Sequence, residues 1–158
     1  MATLAADLGV GRTHSMSVTV EVVVDLSSMA RGGTGAITGT VALRAGDIWF
    51  PNRSWNDFVV VVLGWWTRQA AALRSGDPAR FDFMDGDYSF VVRPAPKGLA
   101  SLTCLRGRGD AAAILEEVEV STADVVSEVM KGAQQVLGFC AQRRWESPDT
   151  EALRQWAE

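Results

Sequence analysis

The chain carries one histidine, His14, and that scarcity limits the chemistry open to it. A Ser-His-Asp or Cys-His relay needs an imidazole to move a proton near neutral pH, and a multi-histidine metal site needs several. His14 falls in a segment that reads as a tail, so both classes drop out. Two cysteines remain, Cys104 and Cys140, with no CxxC spacing. Leu102 and Leu105 flank the first and Phe139 precedes the second. Such apolar neighbours suit buried thiols in a reducing compartment better than a disulfide or a nucleophile.

Carboxylates are the other candidates. Asp82, Asp85 and Asp87 surround Gly86 in superficial likeness to a calcium loop. Aligning Gly86 with that loop's glycine puts Phe81 and Phe83 where oxygen ligands belong and Val92 where glutamate belongs, so the match fails. A looser magnesium site stays open, with Asp82 and Asp87 on one face and Glu117 or Glu119 nearby. The plainer reading is a solvated hairpin face with Asp in its usual turn role. Glu116, Glu117 and Glu119 stand in "LEEVEV", with Glu117 and Glu119 on the face of Leu115. Acid there either guards a sheet edge against aggregation or receives a basic partner. The glycines of "RGGTG" lack GxGxxG and any GK[ST] ending, and read as a hairpin loop. No catalytic residue, metal or cofactor is assigned.

The overall balance narrows the partners. Fifteen basic against nineteen acidic residues give a net charge of −4 and a pI near 5.0. Nucleic acid is disfavoured, because its recognition needs a basic stripe that displaces counterions from phosphates. Six tryptophans are many for 158 residues. Trp49 points opposite Ile48 and Phe50 in "DIWF", so it is either an exposed interface anchor or a cover for the helices.

These residues depend on the elements that hold them. "SVTVEVVVDL" alternates valines with polar residues and predicts a half-buried strand. "SSMARGGTG" reads as a flexible connection, and strands resume over "AITGTVALRA" and Ile48 to Phe50. In "FPNRSWNDFVVVVLGWW", Pro51 breaks the strand and Ser54 with Asp57 fits a capping box. Trp55, Val59, Val62, Leu63, Trp66, Ala70 and Leu73 then recur at helical spacing. Arg68 and Gln69 interrupt the run well short of the roughly twenty apolar residues of a membrane span, so a buried core helix is predicted.

"RFDFMDGDYSFVV" predicts a hairpin about Asp85-Gly86, with Phe81 opposite Phe90 and Phe83 opposite Tyr88. "GLASLTCLR" and "AILEEVEV" add two strands. "STADVVSEVMKGAQQVLGFCAQRR" opens on a second capping box, Ser121 to Asp124, and "SPDTEALRQW" is a short last helix. The fold expected is α+β: a mostly antiparallel sheet of about six strands with helices packed on one face. Residues 16–158 form its single domain. Residues 1–15 are a disordered tail or an upstream start, without the pattern of a secretion signal, so a cytoplasmic protein is expected.

The Phe-Pro, Trp-x-Asp-Phe and aromatic Asp-Gly hairpin pattern over residues 41–93 resembles small bacterial proteins found beside polymorphic toxins as immunity proteins. The wealth of Ala, Arg, Trp and Gly also resembles that of a high-GC bacterium. The resemblance implies a small acidic cytoplasmic binding protein and transfers no active site. The function expected is a non-catalytic module binding a protein partner, a basic toxin domain, through Asp82, Asp87, Glu117, Glu119 and Trp49. The alternatives are a metal-dependent carboxylate enzyme or small-molecule binder, and a structural subunit that forms a homodimer through Trp49 or a sheet edge.

Overall fold

The computed structural model describes residues 17–157. The expected tail at 1–15, with His14, lies outside the described residues. The alternating valines build β1, Val20–Arg31, which pairs antiparallel with β2, Ile37–Ala45. Val20 and Val22 turn inward while Glu21 and Asp25 face solvent. β3, Ile48–Phe50, and a two-residue strand β4, Asn56–Asp57, share the second edge of β2. A second antiparallel sheet follows the order β5, Ala79–Asp82; β6, Tyr88–Pro94; β7, Leu99–Arg106; β8, Ala113–Ser121. The fold is α+β, as expected, with its strands divided between two four-stranded sheets. Between the two sheets, the Val18 N–H donates to the Glu119 carbonyl at 2.9 Å.

Helix α1, Val59–Arg74, connects the two sheets. Four valines at its start cost helix propensity by tenths of a kcal/mol each. Val59, Val60, Val62, Leu63 and Trp66 are almost wholly buried, and each such side chain contributes about 1.5–3 kcal/mol. Burial wins. α2, Thr122–Arg143, lies against α1 and β1, and α3, Pro148–Ala157, closes over α1 and α2. One hydrophobic core runs through both sheets and all three helices. None of the described helices is long and apolar enough to cross a membrane.

Two local expectations are corrected. The segment after Asp25 is strand as far as Arg31, where a connection was expected. A bulge between Asp25 and Ala30 lets pairing resume at Ala30 with Thr38. The Asp25 carboxylate accepts from Ser27 Oγ at 2.6 Å, and Ser28 Oγ takes the Thr40 N–H at 2.8 Å. Met29 is thereby buried on Gly39, where a Cβ would stand 2.8 Å from its Cγ. Only glycine fits there.

The second correction concerns the start of α1. Phe58 is its N-cap residue, with no side-chain cap, and Ser54 is exposed. Asp57 belongs to β4, and long-range donors claim its carboxylate. The capping pair of α2 is present: Ser121 Oγ accepts from the Asp124 N–H at 3.3 Å.

Candidate functional site

The β5–β6 hairpin has the expected register, Phe81 opposite Phe90 and Asp82 opposite Ser89. Its inner aromatics surround Trp66. Phe83 and Phe90 meet the indole edge to face, each at 5.2 Å, and Phe81 stacks on Phe90 at 4.7 Å. Trp66 Nε1 donates to the Asp82 carbonyl at 2.8 Å, fixing β5 to α1.

Asp57, 1% exposed, fixes the other end of the hairpin. Its carboxylate accepts from Trp55 Nε1 at 2.9 Å, the Phe58 N–H at 2.7 Å, the Met84 N–H at 3.1 Å and the Asp85 N–H at 3.2 Å. A buried charge persists when it is hydrogen-bonded on every side. Asp57 is a clasp for the fold, and its donors leave no room for a ligand.

The hairpin thus presents Asp82 and Asp87 beside a shallow depression of about 250 Å³ with Trp65 and Tyr88. Both acids are already matched. Arg80 Nε meets Asp82 Oδ1 at 2.9 Å, and Arg108 Nε meets Asp87 Oδ1 at 2.8 Å. The Asp87 hydrogen bond and charge hold the Arg108 guanidinium above its ordinary pKa.

Glu117 and Glu119 occupy the outer face of β8. Glu117 lies opposite Thr103 and accepts from its Oγ1 at 3.1 Å; Glu119 lies opposite Ser101. Glu119 Oε1 is enclosed and has no hydrogen-bond partner among the described residues. β5 and β8 are the two ends of their sheet. Three strand spacings, about 14 Å, therefore separate Asp82 from the glutamates, and two, about 10 Å, separate Asp87, which leads into β6. The expected acidic set splits in two, and it does not converge on one ion. Among the described residues, no three His, Cys, Asp or Glu side chains gather as metal ligands.

A register shift between Cys104 and Leu105 leaves Leu115 as the extra residue of β8. Ile114, instead of Leu115, lies opposite Leu105 in the outer row with the glutamates. Ile114 and Leu115 are 65% and 43% exposed. Glu116, Glu117 and Glu119 form no ion pair among the described residues. Trp49 stands apart on β3 of the other sheet, half-buried, with the Arg53 guanidinium 4.9 Å and that of Arg44 5.2 Å from its ring. Both cations lie against the ring.

Both cysteines are free and buried, as their neighbours suggest. Burial, aided by the charge of Glu116, pushes the Cys104 thiol up to about 12. Burial also raises Cys140, with Glu146 adding to the effect. Neither supplies a thiolate nucleophile near neutral pH.

A cleft of about 1130 Å³ involves none of the expected residues. It opens between the end of α1, the first turns of α2 and the Lys97-Gly98 turn that leads into β7. Sequence reading missed it because its lining comes from three distant segments. A scan against protein-family models finds no match, and searches of curated proteins and of solved structures find no similar chain.

Proposed function

We propose that the protein is a non-catalytic binding module whose β8 face docks a basic protein partner, as an immunity protein does when it neutralises a toxin domain. One observation carries this reading: Ile114 and Leu115 stand exposed beside glutamates with no ion partners among the described residues. Charge alone protects a sheet edge from aggregation. A branched apolar pair at the same place defeats protection and favours docking, with apolar contact for affinity and acids for orientation and rate. Asp82 and Asp87 contribute less, because their arginines cancel their field. A bacterial cytoplasm is part of the proposal, and the two buried free thiols are compatible with a reducing compartment.

The test is co-expression with the product of each neighbouring gene, scored by growth. One neighbour is expected to arrest growth and this chain to restore it. Glu116→Lys with Glu117→Lys should weaken the pair about tenfold or more through like-charge contact. The reversal also removes the acceptor of the buried Thr103 hydroxyl, so a modest fall in melting temperature accompanies it and binding is compared well below the transition. Rescue that survives the charge reversal would discard β8 as the docking face. If no neighbour is toxic, the immunity form of the proposal fails.

A further inference from the structure

The large cleft has the opposite electrical character to β8. Its floor is apolar: Leu73 and Met130 are buried, and Leu99 and Val126 are half-buried. Its lining carries Arg74, Lys97 and Lys131 and no carboxylate, in a chain whose net charge is −4. Lys131 meets Glu128 only at 3.9 Å, and the other oxygen of that carboxylate accepts the Val22 N–H at 3.0 Å. Arg74 and Lys97 form no ion pair among the described residues.

These cations are spread along the cleft. Thr122 Oγ1 donates to the Leu99 carbonyl at 3.2 Å, which sets the Lys97 turn beside the first turn of α2. Lys131 lies more than two turns further along that helix, about 14 Å away at 1.5 Å per residue. An amphipath with a single anionic head would satisfy one end and leave the other. A peptide with separated carboxylates and apolar side chains between them matches both the cations and the floor. Met130, unbranched and adaptable, suits a floor that receives varied side chains.

We propose that this cleft receives an acidic, amphipathic peptide segment of a partner protein. The site is separate from the β8 face and does not depend on it.

The probe is a short fluorescein-labelled peptide of alternating leucine and glutamate pairs, titrated with the full chain and followed by polarisation. A lysine-for-glutamate counterpart and dodecanoate serve as comparisons. Saturable binding of the glutamate peptide is expected, weakening with salt, with none for the lysine version. Lys97→Glu with Lys131→Glu should lower affinity about tenfold or more with the melting temperature preserved. Glu116→Lys with Glu117→Lys should leave it intact. The proposal is overturned if the glutamate peptide does not saturate, or if the lysine reversals leave its binding unmoved. Displacement of the peptide by dodecanoate at equal concentration would overturn it in favour of a lipid. Self-association of the chain that disappears in the lysine variant would make the occupant a second copy, which also overturns it.

Discussion

At the scale of single residues, Asp57 shows how a local pattern can name the right residue for the wrong duty. Ser54-Trp55-Asn56-Asp57 has the spacing of a helix start, and a carboxylate is favourable there. The same carboxylate instead gathers the Trp55 indole and backbone N–H groups from both flanks of α1. Partners 27 and 28 residues away leave no trace in a four-residue pattern. Asp57→Ala would orphan several buried donors, and a loss of about 3 kcal/mol or more is expected in urea unfolding. Asp57→Asn, which keeps one acceptor oxygen, should cost less. Cys104 gives a residue-scale dependence on pH. Its thiol has an ordinary value of 9.0 and is raised to about 12 in the fold. The unfolded chain therefore loses this proton first as pH rises. The stabilisation is complete below about 9 and declines between about 9 and about 12. Cys104→Ala should flatten that part of a stability profile, and the native thiol should resist alkylation at pH 8.

Among the elements, helices and hairpins were legible because their partners lie close in sequence. The aromatic hairpin sorted Phe81, Phe83, Tyr88 and Phe90 to one face, and that register stands in the structure. The stripe of α1 was legible through Val59, Val62, Leu63, Trp66, Ala70 and Leu73, all buried. The extension of β1 past Asp25 was not, because a bulge interrupts its alternation and serines are weak strand formers. The candidate acids were legible only as residue types. Which of them carry arginines depends on the fold for Arg108 and Asp87, although Arg80 and Asp82 are near neighbours in sequence. Two glycines test helix packing against helix propensity. A Cβ at Gly64 in α1 would meet nothing within 4 Å, whereas one at Gly132 in α2 would sit 3.0 Å from Val22 Cγ1. Gly64→Ala is expected to add up to about 1 kcal/mol of stability. Gly132→Leu should remove about 2 kcal/mol or more by forcing α2 off β1. Thermal unfolding followed by circular dichroism distinguishes the two signs.

Across the whole molecule, two surfaces of opposite sign adjoin at Ser121, which ends β8 and caps α2. Composition reported only their sum, a modest acidity that hid a basic cleft. The pairing of sheets has a further consequence. β1 to β4 precede α1 and β5 to β8 follow it, so α1 is the only covalent path between the sheets. Two copies of the chain could trade halves only if this connector swung open. Asp57 closes that route by holding the segment before α1 to the turn at Met84 and Asp85 beyond it. An exchanged dimer could form only after the indole and amide bonds to this buried carboxylate had broken and α2 had left β1, so Asp57 works together with the shared core to keep each copy's halves in place.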